Sequence, residues 1–247
     1  MSLAGRRILL TRPEEQSARL LSLLVAEGAD ARLFPVMRIA PEPAAQARLA
    51  EAAVCADWLV FVSPTAIDQA WPHLQGRLPV SARLACVGAS SARKLAALSG
   101  RDVLHPQDGN DSEALLALPE LAAIAGQRFL IVRGSGGRPL LAETLASRGA
   151  RVDFAEIYRR EDGEPDWSLL QPPLPDAIVV TSSEMAAQLF RLAGSARTTT
   201  LQCLLYCVPH PRIAEQLAGL GASRIMTTRA DDAALVAGLR EWFSRHP

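Results

Sequence analysis

Gly126 to Arg160 reads GQRFLIVRGSGGRPLLAETLASRGARVDFAEIYRR, and the organisation of the chain follows from it. A short apolar run, Phe129 to Val132, ends in the glycine-rich turn Arg133-Gly134-Ser135-Gly136-Gly137-Arg138. A helix-period segment with Leu141 and Leu145 one turn apart follows and stops at Gly149. A second extended run covers Val152 to Tyr158. This is a strand–turn–helix–strand unit. The chain has already made one: residues 5–39 read GRRILLTRPEEQSARLLSLLVAEGADARLFPVMRI, with Gly5 matching Gly126 and Gly28 near Gly149.

The match extends onward. Asp57 to Ser63 (DWLVFVS) is answered by Asp176 to Ser182 (DAIVVTS), and Ala85-Cys86-Val87-Gly88 by Tyr206-Cys207-Val208-Pro209. Asp111-Ser112-Glu113-Ala114 is answered by Asp231-Asp232-Ala233-Ala234. The offset is always close to 120 residues, so the chain is a tandem duplication of one long unit rather than a solenoid of short repeats.

At 247 residues the chain can bury two ordinary cores, and 49% apolar content is too high for disorder. No apolar run approaches the roughly 18 residues that a bilayer span needs. MSLAGRRILLTRP reads as a first strand rather than a signal peptide, which gives a cytoplasmic address. Net charge is zero, so no global field favours nucleic acid or a membrane surface. Arg outnumbers Lys by 25 to 1, a bias that high genomic GC content produces without function, although arginine forks suit carboxylates. Cys55, Cys86, Cys203 and Cys207 contain no CxxC pair and are expected as free thiols in the core. Cys86 and Cys207 are expected at equivalent strand positions.

Taken in order, Arg7 to Leu10 is a strand, and Pro13 suits the first helical position with Thr11 or Arg12 as cap. Leu20, Leu21, Leu24 and Val25 form a buried stripe ended by Gly28. Ala31 to Ile39 is extended, but Pro35 bars a central strand, so this segment is a connector; Phe154 to Arg160 is its counterpart. Between and after the connectors, short apolar strands alternate with helices opening near Ser63, Ser90, Asp111, Ser182, His210 and Asp231. That alternation predicts parallel sheets covered on both faces, in a two-lobed α/β protein with a cleft between the lobes.

In such sheets ligands gather beyond the strand carboxyl ends, where helix N-termini offer free N–H groups. Thr11-Arg12, Ser63, Ser90-Ser91, Arg133-Gly134, Thr181-Ser182-Ser183 and His210 stand there. Each also satisfies helix capping alone; the joint pattern in both repeats points to an anion-binding rim. Gly134 to Gly137 is neither GxGxxG nor a Walker loop, and no acid ends the next strand, which argues against a nucleotide site. The four histidines lack metal-ligand spacing, and there is no nucleophile elbow. Tyr158 can serve a cleft as proton donor or simply pack at a hinge.

Together these residues resemble the uroporphyrinogen-III synthase family. The resemblance rests on Ile8 to Pro13, Phe61 to Pro64, Val87-Gly88, Val132-Arg133-Gly134 with Gly137-Arg138 and Leu141, Ile157 to Arg160, and Thr181 to Ser183. It implies flavodoxin- or Rossmann-like lobes in which each repeat's first strand and helix join the other repeat's lobe. Residues 1–37 then join 162–247, residues 40–156 form the second lobe, and connectors near 34–41 and 154–161 pair as a two-stranded β-ladder. It implies cyclisation of hydroxymethylbilane, a linear tetrapyrrole octacarboxylate, with inversion of the terminal pyrrole and loss of water. No cofactor or metal is expected, nor any nucleic-acid or membrane partner, and the protein is expected to be a monomer.

The same resemblance implies that Tyr158 assists departure of the terminal hydroxyl. Arg12, Ser63, Ser90, Arg133, Gly134, Arg138, Thr181, Ser182 and Ser183 would meet substrate carboxylates. Two positions depart from the family pattern: Thr65 stands where Asn is frequent, and Val208-Pro209-His210-Pro211 replaces a small-residue turn. From another class, a two-lobed cytoplasmic binding or sensor protein for a polyanionic small molecule fits the same rim without chemistry. A nucleotide-dependent transferase lacks its phosphate loop and ribose acid.

Overall fold

A computed structural model describes residues 3–246; Met1, Ser2 and Pro247, which the sequence reading assigns to the outer ends of the first lobe, lie outside the described residues. In chain order the elements are β1 (Arg7–Leu10), α1 (Glu14–Ala26), β2 (Asp30–Leu33), β3 (Met37–Pro41), α2 (Pro43–Val54), β4 (Trp58–Phe61) and α3 (Pro64–Leu74). Then come β5 (Arg83–Cys86), α4 (Ala89–Ser99), β6 (Val103–Leu104), α5 (Ser112–Leu116), β7 (Arg128–Gly134), α6 (Leu140–Ser147) and β8 (Arg151–Asp162). The chain closes with β9 (Ala177–Val179), α7 (Ser183–Cys203), β10 (Leu205–Val208), α8 (Pro211–Gly219), β11 (Arg224–Thr227) and α9 (Asp232–Arg245).

The chain divides into two compact units, Met1–Arg38 with Glu161–Pro247, and Ile39–Arg160. The first unit carries a sheet ordered β11-β10-β9-β1-β2, parallel throughout. Renumbered within the unit this is the flavodoxin-like order 2-1-3-4-5, which reverses between β1 and β9. The second unit carries β3-β8-β7-β4-β5-β6, reversing between β7 and β4. Its ladders from β8 to β6 are also parallel. The two sheets match strand for strand, with β1 and β2 taking the places of β7 and β8. Arg7 pairs with Asp30 as Arg128 pairs with Arg151, and Ile8 pairs with Ala177 as Phe129 pairs with Trp58.

Both sheets are sandwiched, as continuous apolar strands require. In the first unit α7 and α8 pack with Leu9, Ile178 and Tyr206 on one face, while α1 and α9 pack with Ile8, Leu10 and Val179 on the other. In the second, α2, α3 and α4 cover Leu59, Leu84 and Leu130, and α5 and α6 cover Val60, Ala85 and Ile131.

The extended connector Ala31–Ile39 holds the end of β2 and the start of β3, with Pro35, which offers no N–H, between them. Two local expectations are corrected. Pro13 is the residue before α1, not its first residue, and no side chain caps that helix. Thr11 stands two residues before the cap position, and its hydroxyl is turned to β9, donating to the Val179 carbonyl at 2.8 Å. Finally, Cys86 pairs opposite Phe61 but Cys207 opposite Val179, whose counterpart is Val60. Cys207 thus matches Ala85, and the two thiols face opposite sides of equivalent sheets. A one-residue slip in alignment reverses the face.

Candidate active site

In the second unit the point of strand-order reversal lies between β4 and β7. Ser63, two residues past β4, caps α3: its Oγ accepts the Ala66 N–H at 3.0 Å. The same Oγ lies 3.2 Å from the Tyr158 hydroxyl, and either group can donate. Tyr158 reaches this position through an irregularity in β8. Glu156 stands opposite Arg133 but Tyr158 opposite Gly134, so Ile157 is an extra residue. Strict alternation would put Tyr158 on the exposed side with Glu156. The bulge turns it inward instead, and both Ile157 and Tyr158 are fully buried.

The Tyr158 ring rests on the backbone of Gly134. A Cβ at Gly134 would lie 2.6 Å from Tyr158 Cε2 and 2.7 Å from Cζ, so only glycine leaves the ring its place. The Arg160 guanidinium carbon lies 5.9 Å from the ring centroid.

The neighbouring arginines serve their own turn. Arg133 Nε donates to the Gly134 carbonyl at 3.1 Å and stands 3.6 Å from Glu156, while its guanidinium lies over Phe154 at 5.0 Å. Arg133 thereby holds the turn in which Gly134 sits. Arg138 is exposed and pairs with Glu113 at 3.1 Å. Ser90 is exposed in the first turn of α4. That helix begins at Gly88, which has no side chain to cap it, and the Asn110 side chain accepts the Ala89 N–H instead at 3.3 Å. Asn110 was absent from the sequence candidates. Its turn, Gly109-Asn110-Asp111, reads locally as a loop followed by a cap, and nothing local signals a contact 21 residues back.

In the first unit the reversal lies between β1 and β9, where Arg12 and Thr181-Ser182-Ser183 converge. Arg12 Nε donates to Thr181 Oγ1 at 3.1 Å, and Nη1 pairs with Asp232 at 2.7 Å. The pair is largely shielded, with side chains 18% and 14% exposed, so solvent screens it less than a surface pair. Asp232, at the start of α9, was also missed, since on sequence it reads as helix-start acid. Ser182 caps α7 by accepting the Met185 N–H at 3.1 Å. Ser183 Oγ is buried without a hydrogen-bond partner in the structure. The ten sequence candidates therefore fall into two sets, Arg12 and Thr181 to Ser183 in the first unit, the other six in the second.

The family described as "Uroporphyrinogen-III synthase HemD" matches residues 18–237. The chain belongs to that family. It is similar to the uroporphyrinogen-III synthase of Salmonella typhimurium, 38% identical over 94% of this chain and 99% of that protein. The Escherichia coli uroporphyrinogen-III synthase is 35% identical over the same shares. A solved mutant uroporphyrinogen III synthase from the extremely thermophilic bacterium Thermus thermophilus shares the fold at a TM-score of 0.66 and 19% identity, covering 98% of this chain and all of that one.

The turn Val208 to Pro211 has a structural role. His210 Nδ1 accepts the Arg212 N–H at 3.1 Å and caps α8, the task a hydroxyl performs at Ser63 and Ser182. The cysteines are all free thiols. Cys86 and Cys207 lie in the core, and burial pushes both thiols up to about 12. Cys55 and Cys203 are exposed, contrary to the expectation of core packing, because each sits at the C-terminal end of a helix. Among the described residues no group of three or more His, Cys, Asp or Glu side chains could hold a metal ion, and no helix is long and apolar enough to cross a membrane.

Proposed function

We propose that the chain cyclises hydroxymethylbilane to uroporphyrinogen III, inverting the terminal pyrrole and releasing water, with the substrate held in a cleft between the two units. The observation that carries this reading, in a member of the family, is the Tyr158 hydroxyl fixed by Ser63 above Gly134 at a strand-order reversal. The nitrogen of the pyrrole that carries the hydroxymethyl group pushes out its hydroxyl, and the Tyr158 proton goes to that oxygen, which leaves as water. The resulting azafulvene carbon is attacked by the pyrrole at the opposite end of the chain, through the α-carbon that already carries its neighbour. Inversion requires the bond to that ring to break and re-form at its other α-carbon. The pyrrole carbon that closes the macrocycle then loses its proton, which restores the phenol.

Eight carboxylates must be gripped while the ring turns. Arg12 with Thr181, Ser182 and Ser183 supplies one rim, and Ser90, Gly134 and Arg138 the other, with Arg133 shaping the turn that presents them. Arg138 gives up only an exposed pair with Glu113, which is worth about 0–1 kcal/mol. Because Tyr158 is fully buried, substrate entry has to uncover its hydroxyl, and carboxylate binding remote from the reacting carbon supplies the energy for that. The same reading has the protein work in the cytoplasm as a monomer, without cofactor, nucleic acid or membrane.

The test is turnover of freshly generated hydroxymethylbilane with the product isomers separated. Isomer III should exceed the spontaneous isomer I, and Tyr158→Phe should lower kcat about 10²-fold, the lower range for a lost general acid. Isomer I alone would defeat the synthase reading. Full-rate Tyr158→Phe would remove the phenol from the mechanism.

A further inference from the structure

We propose that Ser63 is a positioning residue that acts through Tyr158 and does not bind a substrate carboxylate, an inference that rests on the synthase reading. A serine hydroxyl has one proton to donate and two lone pairs. One lone pair of Ser63 is taken by the Ala66 N–H at 3.0 Å. Its one proton goes to the Tyr158 oxygen, 3.2 Å away, and the lone pair that remains cannot donate to a carboxylate. With Ser63 donating, hydrogen bonds run in one direction from the first turn of α3, through Ser63 Oγ–H, to Tyr158 Oη. The phenolic proton is then left for the departing hydroxyl. A chain so ordered polarises along its length and steadies charge gathering on the phenol oxygen as its proton leaves.

The duplication supplies the contrast. Ser182 occupies the position of Ser63 after the matching strand and keeps the cap, accepting the Met185 N–H at 3.1 Å. The position of Tyr158, however, is held in the first unit by Met37, which is buried in the equivalent core cluster. The position of Gly134 is held by Pro13. One copy of the constellation therefore keeps serine, glycine and phenol together, while the other keeps only the serine and its cap. Capping explains both serines, but only Ser63 has a hydroxyl partner to orient. The reacting end of the substrate belongs to the second unit, and the first unit's copy is a binding half.

The experiment compares Ser63→Ala with Ser182→Ala, two losses of the same kind of cap, in the isomer-resolved assay alongside urea unfolding. Both should lower the unfolding midpoint by similar amounts. Ser63→Ala should lower kcat about tenfold, the weight of one lost hydrogen bond, with KM little changed. Ser182→Ala should express itself mainly in KM. Ser63→Thr, which keeps cap and hydroxyl, should recover most of the kcat. If Ser63→Ala fails to fold, Ser63→Gly removes the hydroxyl at a smaller cost to the cap. In a Tyr158→Phe background, removing the Ser63 hydroxyl should lower kcat no further. Equal kcat losses from the two serines, or a full additional loss on top of Tyr158→Phe, would overturn the proposal. A wild type that makes isomer III while Ser63→Ala runs at full rate sinks the Ser63 role alone. A wild type that makes only isomer I brings down both.

Discussion

Gly134→Ala adds one methyl group against the ring of Tyr158, and the consequence can be worked from the contacts. The new carbon would stand 2.6 Å from Cε2, 2.7 Å from Cζ and 3.1 Å from Cδ2. Carbon atoms settle at about 3.5–4.0 Å, so the ring has to retreat by about 1 Å. The Gly134 backbone is not in the left-handed region, so the effect is steric and not conformational. The ring is fully buried in the cluster that holds Ala155, Ile157 and residues of α3, so its retreat has to push on packed neighbours. Overpacking of this kind costs about 1–3 kcal/mol. The hydroxyl moves with the ring, and its 3.2 Å contact with Ser63 lengthens beyond about 3.5 Å, where it no longer counts as a hydrogen bond. A misplacement of about 1 Å at a reacting group can cost about 10²-fold in rate.

The expectation for Gly134→Ala is therefore a moderate loss in urea unfolding stability and a loss of about 10² in kcat, with KM changed far less. Isomer-resolved turnover and equilibrium unfolding on the same preparation measure both. Combined with Tyr158→Phe, the substitution should still destabilise but should lower kcat little further, because the hydroxyl it displaces is already gone. If Gly134→Ala folds with undiminished kcat, the argument that this glycine seats the phenol is wrong.

Two further outcomes are expected. In Gly163→Ala the new Cβ would lie 2.1 Å from the Pro35 carbonyl oxygen and 2.7 Å from the Met37 backbone nitrogen, and backbone cannot step aside as a side chain can. That variant should lose about 3 kcal/mol, the upper end for overpacking, and an unchanged melting curve would refute the close approach of these two segments. For the thiols, burial raises Cys86 and Cys207 to about 12, so the folded state holds their protons more tightly than the unfolded chain, where a thiol titrates near about 8.5. This contribution is complete below about pH 8.5 and is lost as pH rises toward about 12, by about 1.4 kcal/mol per unit for each thiol. Tyr206, raised by the same cause, adds to the fall. Urea melts should weaken accordingly above about pH 8.5, while alkylation of the native protein at about pH 8 should reach Cys55 and Cys203 and spare the buried pair. Reaction at all four native thiols would contradict that burial.

Much of this protein is written in local sequence, because period, caps and glycine stops are short-range physics. The strand–helix alternation and the helix starts at Ser63, Ser182, His210 and Asp231 follow from neighbours a few residues apart, and comparing such local patterns matches Gly126–Arg160 to residues 5–39. So does the parallel doubly wound class, since strands apolar on both faces need cover on both. The candidate rims were equally legible, because hydroxyls and glycine stand where strands end.

Tertiary structure decided what those residues touch. Strand partners are far apart in sequence, so only the assembled sheets show β1 beside β9 and Cys207 matched to Ala85 rather than Cys86. Asp232 meets Arg12 across 220 positions and Asn110 reaches back to α4, contacts that no window of sequence contains. The inward turn of Tyr158 depends on one extra residue in β8 relative to β7, a property of the pair of strands and of neither alone. The sequence by itself named Tyr158, Ser63 and Gly134 as separate candidates. Close packing of one ring against a glycine backbone and one serine hydroxyl makes them a single device.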